Sequence, residues 1–167
     1  PQLRRAKLDG TLTAEKLANA LNECAYLRRT EGNSSEAESL FREAIDLSPE
    51  LSSEDWRRVN GTTRSTLAST LSDQGRFDEA LQVADEAVEE YRQRRETSNP
   101  NFGFALTVLG GFLSERERFE EADVDLREGE AIIRTFLSPM TLWLGDNLRN
   151  QASSLYQQGK YAEALGK

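Results

Sequence analysis

The stretch Gly75-Arg76-Phe77-Asp78-Glu79-Ala80 decides the fold, because similar hexapeptides recur along the chain at an almost constant spacing. The other copies are Gly32-Asn33-Ser34-Ser35-Glu36-Ala37, Glu117-Arg118-Phe119-Glu120-Glu121-Ala122 and Gly159-Lys160-Tyr161-Ala162-Glu163-Ala164. Their closing alanines are separated by 43, 42 and 42 residues. A period this steady over four copies indicates a repeat architecture in which each copy is one supersecondary unit.

Each hexapeptide is flanked by small and large apolar residues spaced three and four apart, as on one face of a helix. In the second copy Leu67, Ala68 and Leu71 precede the turn, and Ala84 and Ala87 follow it. Every copy is therefore predicted to be a helix, a tight turn and a second helix, with no strand. The predicted first helices are 14–30, 53–74, 100–116 and 140–158, and the second helices are 34–48, 77–95, 118–137 and a stub at 161–166.

Polar residues at the predicted helix starts support this pattern. Thr13 precedes the first helix, and Ser52 or Ser53 precedes the third predicted helix. Serine and threonine side chains cap helix N-termini by accepting a hydrogen bond from a backbone N–H of the first turn. One helix pair cannot bury both of its faces, so the pairs are predicted to stack on one another.

The pattern Leu67-Ala68, Leu71, Gly75–Ala80 and Ala87 resembles the tetratricopeptide repeat (TPR). The usual repeat has about 34 residues, and a 42-residue period is similar to the kinesin-light-chain subtype. The resemblance implies an all-α fold, a right-handed α-solenoid of stacked antiparallel helix pairs whose first helices line the concave face. The implied domains are 1–13 (tail of a preceding repeat), 14–52 (TPR 1), 53–98 (TPR 2), 99–138 (TPR 3) and 139–167 (TPR 4, with a truncated second helix).

Truncation of the last copy at Lys167 suggests that the chain is part of a larger protein. Family resemblance points the same way, because arrays with this period often stand beside a catalytic or switch domain in signalling proteins.

The composition excludes several kinds of chemistry. The 167 residues contain no histidine and one cysteine, Cys24. A Ser-His or Cys-His nucleophile, a His-ligated zinc site and an internal disulfide are therefore excluded. Cys24 is predicted to pack between helices. We expect no enzymatic activity, no catalytic residue, no cofactor and no metal.

Charge and hydropathy restrict the partners and the location. A net charge of −8 argues against a nucleic-acid partner, which would require basic residues over phosphates. No run of about 18 apolar residues exists to cross a membrane, and the polar start at Pro1–Lys7 does not resemble a signal peptide. We therefore predict a cytoplasmic protein with no membrane partner.

The acidity belongs almost entirely to the predicted second helices. Segment 34–48 has four acids and one base, and segments 77–95 and 118–137 each have six acids and three bases. The predicted first helices together are nearly neutral. This distribution indicates a solvated outer face, and it does not require a basic ligand.

The predicted concave face offers the candidate binding residues, for which the binding role and a merely structural role in tight curvature remain alternatives. The candidates are Asn22, Tyr26, Arg29, Ser65, Ser69, Ser72, Thr107, Gly111, Ser114, Arg149, Ser153 and Tyr156. Small hydroxyl residues leave room for a peptide backbone and can donate to its carbonyls, and tyrosine and arginine are enriched among binding hot spots.

Two functions follow from this surface. The first is a protein–protein interaction module that binds a peptide or a partner domain along the groove. The second is a structural, regulatory or oligomerising arm of a signalling protein, self-associating through the truncated repeat ends. Related repeats hold C-terminal carboxylates with lysines and asparagines, but here only Asn22 and Asn150 fit that pattern, so we predict no such clamp.

Overall fold

A computed structural model describes residues 13–136 and 142–167, which are mostly α-helical and contain no strand. The fold is an all-α solenoid of antiparallel helix pairs, as predicted. Its helices are α1 Ala14–Thr30, α2 Ser34–Asp46, α3 Ser53–Arg58, α4 Arg64–Asp73, α5 Phe77–Arg94, α6 Pro100–Glu115, α7 Phe119–Phe136, α8 Leu142–Gln157 and α9 Tyr161–Ala164. The expected tail of a preceding repeat at 1–12 and the expected junction at 137–141 lie outside the described residues.

The helix starts follow the predicted capping residues. Thr13 Oγ1 accepts from the backbone N–H of Lys16, and Ser52 Oγ accepts from that of Asp55. Between α3 and α4 the chain forms one turn of π-helix, Val59–Thr63, which is called the π-turn below. It interrupts the continuous α-helix expected over 53–74. Gly61 lies in this turn, and its carbonyl accepts a hydrogen bond from Ser65 Oγ.

The four hexapeptides form the same turn. In the second copy the N–H of Arg76 donates to the carbonyl of Leu71, and the N–H of Gly75 donates to that of Ser72. This pair of bonds is the Schellman motif, which requires a left-handed residue. Glycine fills that position in three copies, with φ between +76° and +81°, whereas Glu117 fills it in the third copy with φ of +59°.

The chain divides into two compact units, residues 1–83 and 84–167. In the first unit, α1 packs on α2, and the core consists of aliphatic side chains from both helices and the π-turn. These are Leu17, Ala18, Leu21, Ala44, Leu47 and Val59. The alanines of the repeat pattern are fully buried here, including Ala25 and Ala37, as expected for residues on the apolar face of a helix.

In the second unit, α6 and α7 approach closely because glycines lie at their crossing. A Cβ on Gly110 would lie 2.6 Å from Leu126 Cγ, and a Cβ on Gly129 would lie 2.8 Å from the carbonyl oxygen of Gly103. Close helix approach thus accounts for Gly129. The ring of Trp143 on α8 stacks on Phe104 of α6 with centroids 4.9 Å apart, which closes the joint between two consecutive repeats.

Arginines at the turns neutralise part of the acidity of the second helices. Arg76 binds Glu79 through two hydrogen bonds of 2.7 and 2.6 Å, and it also donates to Glu38 on α2. Arg118 makes the same two-pronged contact with Glu121, with both bonds 2.7 Å long.

The prediction that Cys24 packs between helices is wrong, because its side chain is exposed.

Candidate functional site

The twelve predicted binding residues are called the first-helix stripe below, and each unit is described separately. They occupy the same three positions of the repeat on α1, α4, α6 and α8. The structure brings several of them into contact with the following first helix.

In the first unit, the stripe joins α1 to α4. Thr63 Oγ1 donates to Asn22 Oδ1 at 3.0 Å. One turn further along, the hydroxyls of Tyr26 and Thr66 are 2.7 Å apart. These contacts place α1 and α4 side by side.

The remaining bonds settle which hydroxyl donates. Thr66 Oγ1 gives its only proton to the carbonyl of Thr62 at 2.8 Å, so the Tyr26 hydroxyl must be the donor. The Tyr26 ring also meets Phe41 edge-on at 5.6 Å between centroids. Tyr26 is therefore held at both ends while 39% of it stays exposed.

Charge is balanced at the far end of this surface. Arg29 Nη2 forms an ion pair of 2.7 Å with Asp73 Oδ2, and both side chains are partly exposed. Ser69 Oγ donates to the carbonyl of Ser65 at 3.1 Å, so its proton is engaged and its oxygen can still accept a hydrogen bond. Ser69 and Ser72 are half-buried.

In the second unit, the equivalent stripe joins α6 to α8. Asn147 Nδ2 donates to Thr107 Oγ1 at 2.7 Å and to the carbonyl of Leu126 at 3.0 Å. Asn150 Nδ2 donates to the backbone carbonyl of Thr107 at 3.1 Å. The same amide lies against Gly111, where a Cβ would be only 2.8 Å away.

A buried polar chain extends this contact to α7. Gln151 Nε2 donates to Asn147 Oδ1 and to Glu130 Oε2, each at 2.7 Å. Burial pushes the pKa of Glu130 upward, but hydrogen bonds from Gln151 and Arg134 and the charges of Lys167 and Arg134 outweigh it. The pKa of Glu130 therefore lies below its ordinary value, and the carboxylate is ionised at neutral pH.

Three members of the stripe are not available to a ligand. Ser65, Thr107 and Ser114 are 1–3% exposed, and each donates to the carbonyl four residues earlier. Their expected exposure on a groove is corrected, because small hydroxyl residues here fill the space between tightly packed helices. Asn22, Arg29 and Gly111 are half-buried, and Arg149, Ser153 and Tyr156 are exposed.

The residues that face the first-helix stripe were not predicted as its partners from the sequence. These partners lie on, or directly before, the next first helix and form hydrogen bonds with the stripe. They are Thr63, Thr66, Asn147 and Asn150. A signal for them exists in the sequence, because Thr63 and Asn147 occupy the same position in two different copies. Polar residues that recur at one repeat position, on a helix face that is otherwise partly apolar, indicate a hydrogen bond to a neighbouring helix.

The described residues also hold other surfaces that bear on function. A cavity of about 320 Å³ lies among α7, α8 and α9, with a wall of mixed charge that includes Asp123, Arg127 and Lys167. Ligand pockets of this size are usually apolar, which disfavours a small-molecule site.

Within 13–136 and 142–167 no helix is long and apolar enough to cross a membrane.

Comparison with known proteins finds a family match over two segments of the chain. Models of the tetratricopeptide repeat match residues 18–51 and 60–100. No curated protein sequence matches the chain.

Several solved structures share the fold. One is BtubC (BKLC) from P. vanneervenii, with 17% identity over 98% of this chain and 65% of that protein, at a TM-score of 0.75. Another is the apo form of RapI, with 15% identity over 98% of this chain and 44% of that protein, at a TM-score of 0.76. The chain therefore spans less than two thirds of each.

A third relative is a putative kinesin light chain with nearly identical TPR-like repeats from Podosopora anserina. It is 18% identical over 92% of this chain and 71% of its own length, with a TM-score of 0.72. The matched repeats, the 42-residue period and the shared fold agree. Residues 18–51 and 60–100 therefore match the tetratricopeptide repeat, and the fold is similar to that of a putative kinesin light chain with TPR-like repeats.

Proposed function

We propose that the chain is a non-enzymatic protein–protein interaction module whose first unit binds a peptide or a partner domain. Tetratricopeptide repeats support a scaffold role, and stacked repeats create extended binding surfaces. The observation that carries the proposal is the state of Tyr26, which is fixed by Thr66 and Phe41 and still 39% exposed.

A fixed aromatic side chain is a suitable anchor for a partner. Tyrosine supplies a large contact area, and little conformational entropy is lost when its rotamer is already held. Ser69 follows Thr66, the partner of Tyr26, by three residues on α4, and its oxygen is left as an acceptor because its proton is bonded to the carbonyl of Ser65. A peptide backbone N–H is the natural donor to such an oxygen.

The electrostatics indicate how such a partner would be selected. Arg29 is paired with Asp73, so this surface carries no unbalanced charge at that point. We infer selection by shape and backbone hydrogen bonds, and not by the net charge of the partner. This inference agrees with the near-neutral charge of the predicted first helices.

The test begins with peptides selected from a random display library on the immobilised chain. Their dissociation constants are then measured by calorimetry. We expect Tyr26→Ala to weaken binding about 30-fold, as for a hot-spot residue, and Ser69→Glu to weaken it at least tenfold. Val124→Ser, at a 63% exposed position of α7, is the matched control and should bind normally.

Far-ultraviolet circular dichroism confirms that each variant remains folded. Unchanged affinity in both Tyr26→Ala and Ser69→Glu would show that the first unit does not use this surface. The alternative role, an oligomerising arm, would then be favoured if the chain self-associates.

A further inference from the structure

The second unit contains an open groove that the proposed function does not use. It has a volume of about 400 Å³ and is lined by α5 from Ala84 onward, by α6, by the following turn and by α7. Its apolar lining includes Leu113 of α6 and Val124 of α7. The charged residues around this apolar surface are Asp85, Arg92, Arg118, Glu120, Glu121 and Asp125.

Asp125 departs from the repeat pattern. Counted from the closing alanine of each hexapeptide, the same position holds Leu40 in the first copy and Val83 in the second. Asp125 is nevertheless only 7% exposed, although a buried carboxylate costs free energy unless it is paired. A departure of this kind from the local pattern is expected at functional sites.

The pairing of Asp125 is incomplete. Its Oδ1 accepts one long hydrogen bond, from Arg92 Nη2 at 3.4 Å, and among the described residues its Oδ2 has no hydrogen-bond partner. Arg92 is itself shared, because Glu89 and Glu128 lie 3.1 and 3.7 Å from the same guanidinium. Burial raises the pKa of Asp125, and the charges of Glu128 and Asp85 add to this effect while Arg92 opposes it. An acceptor oxygen in the lining of the groove is thus left for an added donor.

The first unit shows what is missing at this place. There, Arg42 on α2 forms an ion pair of 3.9 Å with Glu79 on α5. In the next pair of second helices, the same two repeat positions hold Asp85 and Glu121, whose like charges cannot pair. Glu121 is bound by Arg118 of its own turn, and Asp85 forms no ion pair in the described part of the chain. The second unit therefore lacks the cation that Arg42 supplies in the first.

We propose that this groove binds an arginine side chain from a segment of a partner protein, with the guanidinium against Asp125 and Asp85. A guanidinium carries five N–H donors and keeps its charge when it is buried, so it can donate to the free oxygen of Asp125. Its aliphatic stem would lie on Leu113 and Val124, because long cationic side chains bury their stems on apolar surface.

The charge of the groove favours an organic cation over other ligands. Four carboxylates line it against two guanidinium groups, and both guanidinium groups are already paired. An anion is therefore disfavoured. A divalent metal ion would need several ligands around one point, and within 13–136 and 142–167 no three acidic, histidine or cysteine side chains are arranged in that way.

The test uses displayed random peptides that carry a fixed central arginine. They are selected on the Tyr26→Ala chain, in which the proposed anchor of the first unit is absent, so the two binding proposals can fail separately. Dissociation constants of the selected peptides are then measured by calorimetry. We expect a further Asp125→Asn substitution to weaken binding at least about tenfold, because the guanidinium loses a buried charged partner.

Asp85→Arg provides a second variant at an exposed position. It introduces the residue type that Arg42 supplies in the first unit, so we expect it to fill the groove and to weaken binding at least about tenfold. Asp123→Asn is the matched control, because it makes the same change as Asp125→Asn on the same helix, at a position that does not line the groove. It should leave the affinity unchanged.

Replacement of the central arginine by citrulline, which has a similar shape and no charge, should also weaken binding at least about tenfold. A selection that yields no peptide would overturn the proposal. So would peptides that bind equally well to Asp125→Asn and Asp85→Arg, or citrulline peptides that keep their affinity. Circular dichroism of each variant establishes that a loss of binding is not a loss of folding.

Discussion

Asn147 donates a 2.7 Å hydrogen bond to Thr107 across the junction between two consecutive repeats. Both residues are at most 1% exposed. We predict that Asn147→Ala lowers the free energy of unfolding by about 1–3 kcal/mol, because the carbonyl of Leu126 and the amide of Gln151 lose a buried partner. Urea unfolding followed by circular dichroism measures the change.

Asn150→Ala is the control for that substitution. Asn150 is only half-buried and makes one bond, to the carbonyl of Thr107, so its loss should cost about 1 kcal/mol or less. An equal loss in the free energy of unfolding for the two variants would contradict the idea that burial of the Asn147 hydrogen bonds stabilises the junction.

Gly129 and Gly145 should respond in opposite directions to alanine. A Cβ at position 129 would lie 2.8 Å from the carbonyl oxygen of Gly103, whereas at position 145 it would meet nothing within 4 Å. We predict that Gly129→Ala destabilises by about 1–3 kcal/mol and that Gly145→Ala stabilises by about 0.5–1 kcal/mol. Thermal unfolding of both variants tests this, and a stabilised Gly129→Ala would show that the crossing has room to adjust.

The sequence predicted the helices because their signals are local. The apolar period, Thr13 and Ser52 as caps, and the glycine turns each depend on neighbours within a few residues. The π-turn at Val59–Thr63 was missed because no local pattern distinguishes it from an ordinary helical turn.

The burial of the first-helix stripe could not be predicted in the same way. Helical periodicity identifies the face of a helix that meets its own partner, but Thr107 is buried by Asn147, 40 residues away. The register between repeats decides whether a small polar residue lines a groove or a junction. Only Tyr26 and its neighbours in the first unit, and the exposed residues of α8, keep the predicted exposure.

Glu117 occupies a turn position whose left-handed backbone conformation favours glycine over glutamate. Its φ of +59° lies in the left-handed region, where the other three copies have glycine. We predict that Glu117→Gly raises the free energy of unfolding by up to about 1 kcal/mol. Gly75→Ala, at φ of +77°, should cost about as much. Chemical denaturation compares them, and a destabilised Glu117→Gly would contradict the argument.

Replacing the carboxyl of Asp125 on α7 with an amide should stabilise the folded protein. Burial raises its pKa, and the charges of Glu128 and Asp85 add to this effect while Arg92 opposes it. A raised folded-state pKa means that ionisation costs stability above that pKa. We predict that Asp125→Asn gains about 0.5 kcal/mol at pH 7 and that the gain shrinks as the pH falls. Asp123→Asn, at a half-buried position of the same helix, is the control and should change little.

Glu130 should show the opposite dependence on pH. Its pKa is lowered, because hydrogen bonds from Gln151 and Arg134 and nearby positive charge outweigh burial. The ionised carboxylate therefore contributes stability above the ordinary glutamate pKa of about 4.3, and this contribution is lost as the pH falls through the folded-state pKa. We predict that Glu130→Gln costs about 1–2 kcal/mol at pH 7, and that the cost decreases below about pH 4.3. Urea unfolding of both proteins from pH 7 downward measures it, and a cost that stays constant with pH would show that packing, and not charge, holds Glu130.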